Sequence, residues 1–167
     1  MKSKILLILF FTSNLLLQSQ NKYEWLEYGI TFSSKIKYNF EPMYEEDEDK
    51  KTLWRLDSDE MGIEVEVCKN SDQSTKFIDD IEFAAQEIAY DMEYKPIRKG
   101  NHIKGNFRGY FVKSKDKDFN GTKYPVIIAA IIDDENDLSF EIVIDCYNGN
   151  LENGLELLSS IKYIPKS

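Results

Sequence analysis

The residues best spaced for chemistry are Asp116, Asp118 and Asn120, in the run Asp116-Lys117-Asp118-Phe119-Asn120-Gly121. Oxygen-bearing side chains at alternate positions, followed by a Gly that permits a sharp turn, make up the first half of a calcium-binding loop. The twelfth position of such a loop carries a bidentate Glu, and here it is Ile127. Half a motif supplies half a coordination shell. A polar hairpin loop turning at Asn120-Gly121 is therefore the simpler reading, and calcium is the one cofactor the sequence suggests. Two further acidic runs, at 45–49 and 133–137, would make a cation or basic-partner patch if they met in space. Taken singly, each is a solvated turn.

Other reactive groups are scarce. His102 is the single histidine and lies in a basic stretch that reads as a flexible connector (Lys95, Arg98, Lys99, Lys104) with no nucleophile motif beside it. There is no Gly-x-Ser-x-Gly, no His-Glu-x-x-His and no phosphate-binding Gly loop. With 30 acidic residues, paired carboxylates arise by abundance alone. No catalytic residue is assigned. Cys68 and Cys146 form an even pair that an oxidising compartment could join as a disulfide, but their strand phases put Cys68 with Glu64 and Glu66 and Cys146 with Ile142 and Ile144, so two unjoined thiols are at least as good a reading. Asn120-Gly121-Thr122 is a glycosylation sequon, but the Lys, Asn and Ile content has a bacterial look, so it carries little weight.

The elements that position these groups centre on residues 123–147. Val126 to Ile132 is apolar on both faces, the mark of a strand covered above and below. The returning strand alternates, with Phe140, Ile142, Ile144 and Cys146 on one face and Glu141, Val143, Asp145 and Tyr147 on the other. A turn at Glu135-Asn136 predicts pairing of Ile127 with Ile144 and of Ala129 with Ile142. Upstream, Ile36 to Phe40, Thr52 to Leu56, Gly62 to Cys68 and Phe107 to Ser114 read as strands. Between 74 and 92 the period changes: Phe77, Ile81, Ala84, Ala85, Ile88 and Met92 recur at helical spacing behind Ser74 as N-cap. A second, shorter helix follows from Leu151, Leu155, Leu158 and Ile161. About six mostly antiparallel strands with helices on their faces give an α+β sandwich.

The chain has 167 residues, 42% hydrophobic and 31% charged, as expected of one globular domain over 21–167. Residues 1–20 differ: a basic start (Lys2, Lys4), a greasy run from Ile5 to Leu17, then Gln18-Ser19-Gln20, the pattern of a secretory signal peptide. Its cleavage would leave no stable membrane insertion and would place the mature chain in the periplasm or outside the cell. The formal charge is −9 for the whole chain, and loss of Lys2 and Lys4 takes it to −11. A surface so acidic repels nucleic acid and favours a basic protein partner.

The element order resembles the PsbP-like family, whose α/β/α sandwiches include extrinsic photosystem proteins, nuclear transport factors and periplasmic or chaperone-like members. The residues that carry the likeness are Tyr28-Gly29-Ile30-Thr31-Phe32, the helix from Ser74, and Leu155-Glu156-Leu157-Leu158-Ser159-Ser160-Ile161. Ser33 stands where that family often has Pro. The resemblance implies a non-catalytic module that binds another protein, and it assigns no site residues. The sequence thus points to an exported binding module of adaptor, chaperone or immunity type. The alternative is a calcium-binding protein or carboxylate-based enzyme.

Overall fold

In the computed structural model, which describes residues 20–26, 28–40, 52–103 and 107–163, the architecture follows from one strand that is apolar on both sides. Strand β8 (Lys123–Asp133) sends Val126, Ile128, Ala130 and Ile132 into one core and Ile127, Ala129 and Ile131 into another. All seven are at most 2% exposed. Burial of so many aliphatic side chains, each contributing roughly 1.5–3 kcal/mol, requires cover on both faces of the sheet.

The remaining elements supply it. In chain order they are β1 (Asn21–Trp25), β2 (Ile30–Ser34), β3 (Asn39–Phe40), β4 (Thr52–Asp57), β5 (Gly62–Lys69), α1 (Thr75–Asp79), α2 (Ile81–Asp91), β6 (Arg98–His102), β7 (Arg108–Lys117), β8, β9 (Leu138–Asp145), α3 (Leu151–Ser160) and β10 (Lys162–Tyr163). The main sheet is antiparallel with order β3-β4-β5-β9-β8-β7-β6, and a small sheet has order β1-β2-β10. The α+β sandwich expected from the sequence is present. Among the described residues the main sheet has seven strands because the stretch read as a connector around His102 pairs with β7 as β6. The β8–β9 register joins Ile127 to Ile144 and Ala129 to Ile142, as the predicted turn requires.

The predicted helix over 74–92 is two helices. Asp80 adopts φ −119° and ψ 90°; its N–H closes α1 on Lys76 C=O, and its carboxylate accepts from Phe83 N–H to open α2. A single Asp thus ends one helix and caps the next. Ser74 caps α1 by accepting from Phe77 N–H at 3.1 Å. Ala84, Ala85 and Ala89 of α2 are fully buried, and these small side chains allow close approach to β7 and β8.

On the other face the small sheet covers the β4 side, with Trp25 and Phe32 against Trp54 at ring-centroid distances of 4.9 and 5.7 Å. Helix α3 lies over β8 and β9, tied to β2 by Ser160, whose hydroxyl accepts from Ser33 N–H and donates to Ser33 C=O, both at 2.9 Å. Cys68 and Cys146 are not joined by a disulfide and are buried on opposite faces of the main sheet. No helix among the described residues is long and apolar enough to cross a membrane. The expected signal segment (all but Gln20), the acidic run 45–49 and Lys104 lie outside the described residues.

Helix α3 approaches the sheet at Gly154, where a Cβ would stand 2.8 Å from Ile127 Cδ1 and 2.9 Å from Cys146 Sγ. Alanine favours helix by about 1 kcal/mol over glycine, but overpacking costs about 1–3 kcal/mol. Gly154→Ala is expected to lose about 1 kcal/mol net and Gly154→Val clearly more. Urea unfolding midpoints check this; a stabilised Gly154→Ala would show that α3 can lift off the sheet at no cost.

Candidate functional site

Helices α1 and α2 cover only part of their side of the main sheet. Three cross-strand rows on that side show where cover stops. Read from β4 to β7, they run Asp57, Gly62, Asp145, Val126, Ser114; Arg55, Glu64, Val143, Ile128, Val112; and Leu53, Glu66, Glu141, Ala130, Tyr110. The β8 and β7 members face α2 and are apolar or small, apart from Tyr110. The β4, β5 and β9 members are mostly charged and form an open, acid-rich face.

Within this face Asp145 is set apart by its surroundings. It is mostly buried, and its Oδ1 is shut off from solvent without a hydrogen-bond partner. Burial chiefly, then the carboxylates of Asp116 and Glu64, push its pKa up to about 6, with the Arg55 guanidinium opposing the rise. Arg55 is itself committed to Glu64, with Nη2 to Oε2 at 3.0 Å. Across the next row Glu66 and Glu141 lie directly opposite one another, an arrangement that like charges disfavour.

Tyrosines rim the Asp145 end. Asp116 Oδ2 accepts from both Tyr94 and Tyr124 hydroxyls at 3.3 Å. Tyr124 meets Tyr147 edge to face at 5.2 Å. Tyr147 leans over Gly62, where a Cβ would sit 2.6 Å from its hydroxyl. Burial, then the Asp145 charge, raises Tyr147 to about 12, and Tyr94 and Tyr124 are raised for the same reasons, so all three remain neutral phenols at physiological pH. Neutral aromatic rings beside carboxylates in partial burial suit a cationic group, by charge and by the negative face of the ring.

The calcium half-motif is spread over different tasks. Asp116 holds the two tyrosines and accepts from Lys117 N–H at 2.7 Å. Asp118 Oδ1 accepts from Asn120 and Thr122 N–H at 2.9 and 2.8 Å and so shapes the hairpin loop. Among the described residues, no group of three or more His, Cys, Asp or Glu side chains is placed to hold a metal ion. In the acidic turn at 133–137, Asp133 accepts from Glu135 and Asn136 N–H, and Asp134 forms a two-point pair with Arg108 at 2.9 and 3.0 Å. His102 is exposed on β6 with its ring 5.3 Å from Tyr110.

Nothing local in the sequence marks Asp145. Its neighbourhood comes from β4, β5, β7 and the segment after α2, and only the strand order brings them together. The one legible hint is its phase, on the same face as Glu141 and opposite the apolar one.

This architecture defines an α+β sandwich, and solved structures share that fold. The Saccharomyces cerevisiae Ran-binding protein Mog1p superposes with a TM-score of 0.58 at 12% identity, over 87% of this chain and 96% of that one. A mutant of protein Mog1 gives the same TM-score and identity, over 89% and 97%. No protein-family model and no curated protein sequence matches the chain. Membership of the PsbP-like family, expected from the element order and the Ser160-Ile161 close, is corrected on these findings: no family model supports it, and the two solved structures named above are of Mog1. The motifs behind that expectation are structural, Ser160 fastening α3 to β2 for one, and a fold contact of that kind carries no family identity.

The Asp145 environment has a consequence for stability. Between the ordinary value of 3.8 and about 6, the folded chain binds a proton that the unfolded chain has released, so stability falls as pH rises through that window. Asp145→Asn is expected to stabilise the fold by up to about 3 kcal/mol at pH 8, with the gain shrinking below pH 6 and gone near pH 4. Thermal melts of both chains across pH 4–8 check it. A gain that does not depend on pH would mean that the carboxylate is not held in its neutral form.

Proposed function

We propose that this chain is an exported, non-enzymatic protein-binding module that takes a basic segment of its partner on the open β4–β5–β9 face, in an adaptor, chaperone or immunity-type role. The observation that carries the reading is Asp145, a half-buried carboxylate with one solvent-excluded, unpartnered oxygen among Asp116, Glu64 and Asp57. A Lys ammonium or Arg guanidinium from a partner would relieve that repulsion and pack against the tyrosine rim. The overall charge of −9 would steer such a partner toward the surface. The likeness to a Ran-binding protein supports a binding role for the fold. Export rests on the residue pattern of 1–20, a basic start and an apolar run.

Fluorescence anisotropy with a labelled lysine- and arginine-rich peptide tests the binding. We expect saturable binding at low salt that weakens about tenfold or more by 0.5 M salt. Asp145→Asn and Glu64→Gln are each expected to weaken it by about tenfold, although the first stabilises the fold. Affinity should also drop as pH falls from 7 to 5, since Asp145 gains its proton near 6. Unchanged affinity in both variants would remove the open face from the account. Export is checked separately: N-terminal sequencing of the protein from its source should begin near Asn21, and an intact Met1 would contradict it.

A further inference from the structure

The main sheet ends at β6, which pairs with β7 on one side and with no described strand on the other. Ile97 N–H donates to Lys113 C=O at 2.8 Å and Ile103 N–H donates to Gly109 C=O at 2.9 Å, so both turn toward β7. Between them the register shifts, and at Gly100 a Cβ would lie 1.3 Å from the Phe111 carbonyl oxygen. Past this bulge Asn101 stands opposite Phe111 and His102 opposite Tyr110. Since Ile103 N–H points inward, strand alternation turns the main-chain N–H and C=O of His102 to the open edge.

A groove of about 580 Å³ lies beside the start of this strand, lined by Tyr90, Tyr94, Pro96, Ile97 and Val112 together with Glu87 and Lys95. Its apolar surface is not covered: Tyr90 is 77% exposed and Ile97 52%. Charge distinguishes the edge from the rest of the molecule. From Lys95 to His102 the chain carries Lys95, Arg98, Lys99 and His102 and no acidic residue, in a protein of net charge −9.

We propose that the β6 edge and this groove dock an extended segment of a protein partner, apolar and acidic at alternate positions, as an added antiparallel strand. Main-chain bonds to the outward groups of β6 give the segment its place. Its apolar side chains enter the groove, and its carboxylates meet the basic strand. A basic edge with a bulge also discourages pairing between copies of the chain, which leaves the edge to a partner of opposite charge. This surface lies at the β6 edge, beyond β8 and β7 from the acid-rich β4–β5–β9 face, and shares with it only Tyr94, whose hydroxyl is held by Asp116.

The test uses the full chain and two labelled eight-residue peptides, one alternating valine with aspartate and one alternating valine with lysine. Anisotropy should show the aspartate peptide binding at least tenfold more tightly. Lys95→Glu and Ile97→Asp should each weaken it tenfold, with melting temperatures confirming that both variants fold. Amide exchange at His102 should slow when the aspartate peptide is bound. The proposal is overturned if neither peptide binds, if both bind equally, if Lys95→Glu binds as the parent chain does, or if exchange at His102 is unchanged. A dimer formed through β6, seen by light scattering, would assign the edge to a second copy and overturn it as well.

Discussion

Strand β8 must be dry on both sides, and the layout of the molecule can be traced to that requirement. Its Val126, Ile128, Ala130 and Ile132 need one cover and its Ile127, Ala129 and Ile131 need another. Helix α2 supplies the first with a row of alanines, and α3 supplies the second by bringing Gly154 down onto Ile127 and Cys146. The two helices are unequal in what they leave open. The α3 side is completed by the small sheet and its aromatic contacts with Trp54. Among the described residues the α2 side has no such complement, so there β4, β5 and β9 keep one face without helical cover.

That asymmetry accounts for the placement of charge. A half-covered face adjoining a dry core gives a carboxylate two choices: solvation at the open side, or partial burial at the boundary. Glu64 takes the first, aided by Arg55. Asp145 stands at the boundary, where burial and neighbouring acids hold its proton on to about pH 6. Such an arrangement opposes folding, and its retention is intelligible if binding of a cation from another protein relieves it. The tyrosines at its rim serve the fold through Asp116 and leave ring surface near the acid.

Much of the fold was legible because its signals are local or of period two. The unbroken apolar run of β8, the alternation of β9 and the length of the acidic turn together set the register at Ile127–Ile144 and Ala129–Ile142. The helical spacing after Ser74 was equally plain, but the interruption at Asp80 was not, because Asp is common in the first turn of a helix and its double capping role appears only in the backbone angles. Strand β6 was hidden by composition: Arg98-Lys99-Gly100-Asn101-His102 has neither β-branched residues nor apolar alternation, and it pairs because β7 offers an edge. The site was the least legible part. Of the acids that stood out in sequence, Asp118 and Asp133 shape their own turns, Asp134 pairs with Arg108, and Asp116 reaches the site only through Tyr94, Tyr124 and its charge on Asp145. The acid that matters most for the proposed function gains its character from burial and from Asp116 on β7, Glu64 on β5 and Arg55 on β4, which only the strand order brings beside it.

The most direct measurement is a nuclear magnetic resonance titration of the isotope-labelled chain with a lysine- and arginine-rich peptide. The account predicts saturable shift changes at Glu64, Glu66, Asp145 and Tyr147 that disappear at high salt, with the amides of α2 and α3 undisturbed. Shifts confined to other surfaces, or none at low salt, would contradict the assignment of the open acid-rich face as the binding surface.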